Sequence, residues 1–406
     1  DFVGEKRFGN WLENLNDWAI SRSRYWGTPF NVWKCDCGHC TSVGSRKELA
    51  ERSIEEIDEN IELHRPYVDN VHLKCEKCGG TMTREKDVID VWFDSGAMPF
   101  AQHHYPFENK ENFGELFPAD FISEGIDQTR GWFYSLLAIS TLITGKSPYK
   151  NVLVNDLILD KDGKKMSKSI GNVVSPEEII NKYGADTARL FILFAAPPEK
   201  ELDWSDAGVE GSYRFLNRVW RLVSEFVEKN YNSTDAIEIK SQDDKKLNLT
   251  LNATIKKITE DVSNRFNFNT AISSIMELVN ELYKYKEKDD LNMPLLSDAV
   301  TKLVILLSPF TPHICEEMWQ ELGNKDSLVS VRWPGYDEKA LVEDTKTIIV
   351  QVNGKLKERL SMPAGLIKTE LENAVKSNEN VIALISDLNI VKTITVPDKL
   401  VNFVAK

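Results

Sequence analysis

The cysteines constrain the fold of this chain more than any other feature of its sequence. Five of the six lie within residues 35–78, where they form CDCGHC at 35–40 and CEKCGG at 75–80. Two cysteine pairs on separate segments, each followed by a glycine, are typical of a zinc ribbon, in which four thiolates hold one metal ion. The sequence therefore predicts a small metal-binding module; reduced, free cysteines in a polar loop are the alternative.

Cys75 and Cys78 have the CxxC spacing that is common in zinc sites. In the first segment Cys35, Cys37 and Cys40 compete for the two remaining positions. We predict that Cys35, Cys37, Cys75 and Cys78 are the ligands, and Cys40 in place of Cys35 or Cys37 stays open as the alternative. Because four thiolates leave no open coordination position, the predicted zinc is structural.

Composition and charge narrow the class of protein. The chain has 406 residues, of which 42% are hydrophobic, enough for about two to four domains with sizeable cores. Its net charge is −13, so any nucleic acid has to be bound through local basic patches. No apolar run reaches the roughly 18 residues of a membrane span, and no signal-peptide pattern is present. We therefore expect a cytoplasmic protein that does not cross a membrane.

Hydrophobic patterning in the first half predicts alternating strands and helices. Residues 87–95 predict a buried strand that leads into a functional loop, and residues 119–145 predict a strand, a polar loop and an apolar helix. A further strand is predicted over 151–160, and the charged segment 45–68 predicts a helix. Polar loops at the carboxyl ends of strands indicate half of a doubly wound nucleotide-binding sheet.

The second half has a different pattern. Residues 207–231, 244–288 and 295–322 carry apolar residues at three- and four-residue spacing, which predicts an α-helical bundle. Short β-like runs then flank Asn353-Gly354, a typical hairpin turn. A helix over 369–376 and two strands, IVKTITV and LVNFVA, complete a small predicted α+β domain.

Two polar loops are candidate nucleotide-binding sites. The stretch DKDGKKMSKSIGN at 160–172 has four lysines and two glycines that let the backbone bend, which suits an anion-binding loop; a solvated loop is the alternative. In SEGIDQTRGWF at 123–133, Asp127 is placed to bond ribose hydroxyls and Gly125 allows close approach of a ligand. An ordinary strand-to-helix turn explains the second stretch nearly as well.

These motifs resemble those of class I aminoacyl-tRNA synthetases of the isoleucine, leucine and valine group. The string KMSKS at 165–169, followed by GN, is similar to the signature loop of that family, and the resemblance covers nearly the whole chain. It implies that Lys165 and Lys168 are catalytic, because they stabilise the pyrophosphate part of ATP while the carboxylate of an amino acid attacks the α-phosphate. ATP, Mg²⁺ and structural Zn²⁺ are the implied cofactors.

The resemblance also implies roles for other residues, which are predictions at this stage. The implied ATP- and adenylate-binding residues are Glu124, Gly125, Asp127, Gln128, Lys165, Met166, Ser167, Lys168 and Ser169. Trp92 and Trp132 are expected to contribute to an apolar amino-acid pocket, with core filling as the alternative. The basic residues Arg214, Arg218 and Arg221 are candidates for tRNA contact, although surface arginines that seal a helix face would look the same.

The two halves resemble different members of the group. Residues 1–170, with WAISRSRYWGTP and EGIDQTRGWF, look like isoleucyl-tRNA synthetase, and residues 171–406 look like leucyl-tRNA synthetase. The His-x-Gly-His signature and the editing domain of the family are absent from this sequence. We therefore expect a C-terminal fragment or a chimera that is inactive alone. Recombination, deliberate fusion and an assembly error are all compatible with the junction.

The resulting hypothesis is a partial isoleucine–tRNA ligase, monomeric, with leucine–tRNA ligase and a non-catalytic tRNA-binding fragment as alternatives. The predicted fold is α/β, with the C-terminal half of a Rossmann-like sheet, a zinc-ribbon insertion, a helical bundle and a small α+β domain. The predicted domains are a partial catalytic domain (1–34 and 81–185), a zinc-binding insertion (35–80), a helical anticodon-binding-type domain (186–327) and a C-terminal domain (328–406).

Overall fold

The computed structural model describes residues 2–342, 345–386 and 388–406, and within them the chain forms two compact units. Unit 1 contains the residues up to Leu159 together with Pro198–Leu202. Unit 2 contains Asp160–Pro197 and Asp203–Lys406. Short strands and helices in unit 1, and a helical bundle with a small α+β region in unit 2, match the fold class expected from the sequence.

Unit 1 is built from short elements, and α6 is the longest of its described helices. The helices are α1 (Gly9–Glu13), α2 (Arg46–Arg52), α3 (Val91–Gly96), α4 (Met98–Ala101), α5 (Phe113–Leu116) and α6 (Trp132–Thr144). The strands, including β10 at the boundary with unit 2, are β1 (Ser21–Arg22), β2 (Val32–Cys35), β3 (Cys40–Ser42), β4 (Leu73–Lys74), β5 (Thr81–Arg84), β6 (Val88–Ile89), β7 (Ile122–Gly125), β8 (Val152–Asn155), β9 (Ile158–Leu159) and β10 (Leu202–Asp203).

Four of these strands form the sheet that carries the cysteines. Their spatial order is β3–β2–β5–β4, and every neighbouring pair is antiparallel. Trp33, Leu73 and Met82 lie in the core of this module and are almost completely buried. The indole N–H of Trp33 donates to the carbonyl of Val71 at 2.8 Å, so the polar atom of the largest core side chain is also satisfied.

The charged segment 45–68 is helical only over α2, so the prediction of one helix across it is wrong beyond that helix. Ser53 is extended and forms a β-bridge with Leu73. Glu55 bonds the backbone N–H of His72 at 2.9 Å and its ring at 2.7 Å. Pairing with the β4 segment therefore replaces the helix, because it satisfies the polar groups that a helix would otherwise pair internally.

The segment 119–145 folds as predicted into a strand, a polar turn and a helix. After β7 the chain forms a 3₁₀ turn over Ile126–Arg130 and then α6, which ends at Gly145 in the left-handed conformation, with φ of 68°. Strand β8 returns parallel to β7. The single strand predicted over 151–160 is divided into β8 and β9, of which β9 pairs with β10.

A helix takes the place of the loop predicted at the end of 87–95. Asp90 caps α3 by accepting a hydrogen bond from the backbone N–H of Trp92 at 3.0 Å, and aspartate is a preferred residue at that position. Gly96 lets α3 approach α6 closely, since a Cβ there would lie 2.6 Å from the backbone of Ser135. The strand is β6 alone, two residues long.

Unit 2 contains nine of the described α-helices and a four-stranded sheet. The helices are α7 (Pro176–Tyr183), α8 (Ala185–Ala195), α9 (Asp206–Glu228), α10 (Gln242–Glu260), α11 (Phe268–Tyr285), α12 (Met293–Leu307), α13 (Pro312–Glu321), α14 (Lys368–Lys376) and α15 (Glu379–Ile385). The strands are β11 (Thr345–Val352), β12 (Lys355–Pro363), β13 (Ile390–Val396) and β14 (Leu400–Ala405). Among the described residues, no helix combines the length and apolarity that crossing a membrane requires.

Helices α9 to α13 confirm the predicted bundle. Each of the three predicted apolar spans is helical, and the apolar residues of α9 at three- and four-residue spacing are buried. The span 244–288 is divided between α10 and α11 by a π-helical turn at Asp261–Arg265 and by Phe266, whose φ is 50°. The bundle core extends across all of these helices and includes Ile275 and Leu303, which are fully buried.

The C-terminal region is a four-stranded sheet in the order β12–β11–β14–β13. The predicted hairpin is confirmed: β11 and β12 are antiparallel, and the turn residues Asn353 and Gly354 have φ of 50° and 77°. The predicted helix is α14, and both predicted C-terminal strands are present. Helix α15 was missed, because its short apolar stretch resembles a strand.

Candidate metal centre and nucleotide-binding loops

The structure brings four cysteine sulfurs together in unit 1. The Sγ atoms of Cys35, Cys37, Cys75 and Cys78 all lie within 4.8 Å of one another. Two of the separations are 3.4 Å, between Cys35 and Cys78, and 3.7 Å, between Cys37 and Cys75. A tetrahedron with Zn–S bonds of 2.3 Å has edges of about 3.8 Å, so this cluster has the size of a structural zinc site. Cys40 is outside the cluster, and its sulfur faces the carbonyl of Gly38 at 4.0 Å.

Backbone amides face the thiols of this cluster. The N–H of Gly80 lies 3.4 Å from the sulfur of Cys78, and Gly79 has the left-handed φ of 72° that turns the chain there. Burial raises the pKa of Cys75, but the backbone amides of Cys78 and Lys77 outweigh it and lower that pKa to about 7. The backbone amide of Cys37 lowers the pKa of Cys35, but the neighbouring thiol of Cys78 and burial outweigh it and raise that pKa to about 12. Thiols packed this closely keep their protons unless a divalent cation neutralises the thiolates, so the cluster fits a metal ion by its size and its donors.

The carboxyl end of β7 carries a second group of predicted residues. Glu124 and Asp127 are exposed, and Gln128 is half-buried. The Nε2 of Gln128 donates to Oδ2 of Asp127 at 3.2 Å, and its Oε1 accepts from the backbone N–H of Trp132 at 2.9 Å. A Cβ at Gly125 would lie 2.7 Å from Asp127 Oδ1, so only glycine leaves that carboxylate in place.

Trp92 and Trp132 both lie at the turn that joins β7 to α6. A Cβ at Gly131 would lie 2.6 Å from Gln128 Oε1 and 3.0 Å from the ring of Trp92, so the turn and the indole are in close contact. Trp132 donates its indole N–H to the carbonyl of Ser95 at 3.2 Å. Trp92 keeps 42% of its surface exposed, so this tryptophan is not simply a core residue.

Sequence reasoning missed Asp90, a buried carboxylate next to this group. It accepts hydrogen bonds from the indole of Trp18 at 2.9 Å and from the backbone of Trp92, and it pairs with Arg22. Burial raises its pKa, but these donors outweigh burial and the pKa is lowered. An aspartate directly after the apolar pair Val88-Ile89, in DVIDVWFDS, is a typical N-cap signal and could have identified it. Asp90 therefore fixes the start of the helix that carries Trp92.

The lysine loop lies in unit 2. Gly163 and Gly171 have φ of 72° and 75°, so both glycines make the left-handed bends that the sequence suggested. Lys165 and Lys168 are exposed, and Met166 is half-buried. The hydroxyls of the two loop serines, Ser167 and Ser169, lie 2.7 Å apart. The loop thus presents two ammonium groups and hydroxyl donors to solvent.

Two polar residues, one at each end of the lysine loop, have no role in the sequence-based predictions. Asn172 donates from Nδ2 to Asp160 Oδ2 at 2.6 Å, which ties the two ends of the loop together. Asp160 directly follows strand β9, and only 8% of its surface is exposed. A polar residue at each end of a glycine-containing loop after a strand is the signal that marks the pair.

Comparison with known proteins identifies the family. Residues 1–205 match the family model described as tRNA synthetases class I (I, L, M and V). The chain belongs to this family. Residues 244–372 match a second model, the anticodon-binding domain of tRNA ligase. The resemblance to the isoleucine, leucine and valine group found in the sequence is thereby confirmed at the level of the class I family.

A solved synthetase has the same fold. The chain is similar to the LeuRS of Agrobacterium radiobacter K84 agnB2, described as a ternary LeuRS–tRNA–LeuAMS complex, with 27% sequence identity and a TM-score of 0.72. The match covers 97% of this chain and 51% of the relative, so the chain spans about half the length of that synthetase. The likeness extends over both units and confirms the expected class I fold.

The three predicted tRNA-contacting arginines lie on α9 of the synthetase chain. Arg214 pairs with Glu210 at 3.0 Å and stays exposed. Arg218 is held more firmly, because it donates to Asn280 Oδ1 at 2.7 Å and its guanidinium lies over a tyrosine ring. Arg221 is exposed, and among the described residues its guanidinium donates to the backbone carbonyl of Asn217 on its own helix. Arg214 and Arg221 are therefore the more available of the three.

Proposed function

We propose that this chain carries the adenylate-binding turn and the lysine loop of an isoleucine–tRNA ligase. The observation that supports it most is the turn after β7, where Asp127 and Gln128 are hydrogen-bonded and Trp92 and Trp132 lie alongside. The proposed reaction is attack of the isoleucine carboxylate on the α-phosphorus of ATP, which releases pyrophosphate, followed by transfer of the aminoacyl group to tRNA.

Each loop has a separate part in this proposal. Asp127 would accept hydrogen bonds from ribose hydroxyls, and Gly125 would allow the nucleoside close to the backbone. Lys165 and Lys168 would neutralise the charge that develops on the leaving pyrophosphate, a contribution by placement and electrostatics. Mg²⁺ bound with ATP would share that charge, and Ser167 and Ser169 would donate to phosphate oxygens.

The choice of isoleucine rests on the apolar surroundings of the turn. Trp92 and Trp132 belong to the two segments whose sequences look like isoleucyl enzymes, and aromatic walls select an aliphatic side chain by shape. Such a pocket distinguishes side chains by only about 1–3 kcal/mol per methylene. Leucine is the second candidate, because the solved relative is a LeuRS that matches almost the whole chain.

The four-cysteine cluster would hold one structural zinc ion through Cys35, Cys37, Cys75 and Cys78. Its size and its backbone amide donors support this assignment. The ion would stabilise the β2–β5 sheet, since metal binding supplies much of the folding free energy of modules this small. Cys40 would take no part.

Binding of adenylate analogues tests the proposal. Titration calorimetry of the chain with isoleucyl- and leucyl-sulfamoyl adenosine should give tighter binding of the isoleucyl compound. Asp127→Asn should weaken it by about tenfold, since a charge-assisted hydrogen bond is lost. Asp120→Asn is the matched control, because Asp120 is an exposed aspartate that precedes β7 and pairs with Lys150.

The outcomes separate the three candidate functions. Tighter binding of the leucyl analogue would transfer the assignment to leucine. Equal weakening by Asp120→Asn and Asp127→Asn would contradict the adenylate site at this turn. Absence of binding to either analogue, combined with tRNA binding, would favour the non-catalytic tRNA-binding fragment.

A further inference from the structure

The side chain of Asn172 joins three points of the lysine loop. Its Nδ2 donates to Asp160 Oδ2 at 2.6 Å and to the carbonyl of Lys165 at 3.2 Å, and its Oδ1 accepts from the backbone N–H of Ser167 at 2.9 Å. One amide therefore holds the end of the loop against its start and against the backbone on both sides of Met166.

Asp160 closes the first turn of the same loop. Its Oδ1 accepts from the backbone N–H groups of Asp162 and Lys164, both at 2.9 Å, and its own N–H donates to the carbonyl of Lys164 at 2.8 Å. Its backbone carbonyl accepts from Gly163 at 3.0 Å. The amide of Asn172 and then the N–H of Lys164 lower the pKa of Asp160, so the acceptor is ionised at neutral pH.

Among the described contacts, the side chains of Lys165 and Lys168 have no hydrogen bonds comparable to those of Asp160 and Asn172. Within the described part of the chain, no ion pair or side-chain hydrogen bond holds the ammonium group of Lys165 or Lys168, and both side chains are exposed. Their placement therefore depends on the backbone between residues 160 and 172. That backbone is the part which the Asp160–Asn172 pair fixes.

We propose that Asp160 and Asn172 are positioning residues, which hold the loop in the shape that presents Lys165 and Lys168 to a diphosphate group before the ligand arrives. The inference rests on the proposed function, in which the loop binds the pyrophosphate part of ATP. Its physical basis is conformational entropy: a loop that is already ordered loses less freedom on binding. The pair itself touches no ligand and acts through the lysines.

The test measures binding of inorganic pyrophosphate to the whole chain by titration calorimetry. Asn172→Ala should weaken binding by about tenfold, because the lost hydrogen bonds include one to a charged group. Hydrogen exchange of residues 160–172 should become faster in the same variant, whereas exchange in the helical bundle should not change. Asn217→Ala, which removes one exposed side-chain bond to the carbonyl of Tyr213 on α9, is the control and should leave both unchanged.

A charge-swapped pair, in which the side chains of Asp160 and Asn172 are exchanged, tests whether the hydrogen bond between the two positions sets the affinity for pyrophosphate, and not the identity of either residue. In the double variant Asp160→Asn, Asn172→Asp, the amide and the carboxylate exchange places; the bond to the Lys165 carbonyl is lost, and a carboxylate oxygen faces that carbonyl instead. Affinity for pyrophosphate should exceed that of Asn172→Ala by at least about threefold, because the bond between positions 160 and 172 and the bond to the N–H of Ser167 re-form. Lys165→Ala with Lys168→Ala should abolish binding without faster exchange in the first turn of the loop.

The results distinguish failure of this inference from failure of the proposed function. If the unmodified chain binds pyrophosphate and Asn172→Ala binds it equally well, the positioning role is wrong and the lysine loop stands. If the charge-swapped pair is as weak as Asn172→Ala, the positioning role is also wrong. If the unmodified chain has no affinity for pyrophosphate, the proposed function of the loop is wrong, and the positioning role is overturned with it.

Discussion

The helical bundle of unit 2 and the β7–α6–β8 region of unit 1 are stabilised in different ways. In α12, ten residues are buried, and Val300, Leu303 and Val304 have no exposed surface. In the parallel pair β7–β8, by contrast, each of the eight strand residues is at least partly exposed. Parallel strands are usually covered on both faces and fully buried. Because the residues of this pair are partly exposed, the pair buries little apolar surface of its own.

The difference shows what sets the shape of each region. Apolar packing determines the bundle, so a helix there is defined mainly by the spacing of its apolar residues. The turn after β7 depends instead on close contacts at Gly125 and Gly131 and on the hydrogen bonds of Gln128. Polar loops held by a few contacts can be altered with little loss of stability, whereas truncation of a core residue of the bundle lowers the free energy of unfolding markedly.

Loss of the proposed zinc ion should have the largest effect, and it should change the stability of the cysteine module in unit 1 and not that of the bundle in unit 2. Cys75→Ser should abolish the stoichiometric binding of zinc and unfold the β2–β5 sheet. Structural zinc binds to small modules with an apparent free energy of about 10–16 kcal/mol, and this energy contributes directly to their folding. Metal analysis and hydrogen exchange measure both effects, and the helical bundle should keep its protection.

Cys40→Ser is the matched control for the metal site, since Cys40 lies in the same module but outside the sulfur cluster. It should retain one zinc per chain. Loss of zinc in Cys40→Ser, or purified protein without stoichiometric zinc, would contradict the assignment.

Truncation of a core residue should be the next largest effect. Leu303→Ala in α12 should lower the free energy of unfolding by about 2–5 kcal/mol, because it removes buried methyl groups and leaves a cavity. Leu142→Ala in α6 is the control: Leu142 is 86% exposed, so its truncation should change stability by less than about 0.5 kcal/mol. Urea denaturation measures both, and equal losses would remove the contrast between the two regions.

A buried carboxylate makes the free energy of unfolding of the bundle depend on pH. Asp244 accepts hydrogen bonds from Tyr285 at 2.7 Å, Ser241 at 2.8 Å and Asn292 at 3.0 Å. Burial raises its pKa, but these donors and the N–H of Lys240 outweigh burial and lower the pKa far below its usual value. Asp244→Asn should cost about 1–3 kcal/mol at pH 7, since a charged acceptor in a buried network is lost.

The sign of the pH dependence follows from the lowered pKa. The stability from ionised Asp244 is fully present above the unfolded pKa of about 3.9 and is lost as the pH falls below it toward the folded pKa. The difference between the unmodified chain and Asp244→Asn should therefore be constant from pH 5 to 8, in the range of about 1–3 kcal/mol, and shrink in more acidic solution. Asp243→Asn, an exposed neighbour paired with Lys288, should cost less than about 1 kcal/mol at any pH.

The smallest expected effect concerns tRNA binding by the bundle. Replacing Arg214, Arg218 and Arg221 by alanine should weaken binding and flatten its salt dependence by roughly one unit per lost phosphate contact. Arg218 should contribute least, because it is already bonded to Asn280. We expect leucine tRNA to be preferred over isoleucine tRNA, since residues 171–406 look like leucyl enzymes.

Gel shifts at two salt concentrations measure this effect. Replacing three exposed lysines of unit 2, Lys240, Lys288 and Lys325, removes the same charge and is the control. Equal effects of both triple variants would indicate unspecific electrostatics, and equal binding of unstructured RNA would exclude a tRNA site on the bundle.

Most of the fold could be predicted from local patterns. Helices α9 to α12 and the hairpin at Asn353-Gly354 were predictable, because apolar spacing and turn residues act over a few positions. The helix predicted over 45–68 was wrong beyond α2, because the bridge from Ser53 to Leu73 joins segments that no local pattern relates. Tertiary contacts override helix propensity in such segments.

The sequence by itself determined the family, the residue types of the loops and the presence of a possible metal site. Its motifs are short strings, and each is complete without knowledge of the fold. Only the tertiary structure decided that Cys37 and not Cys40 joins the sulfur cluster, and that Asn172 reaches back to Asp160. Both depend on distances between residues that are separated along the chain, and such distances are set by how the backbone turns and packs.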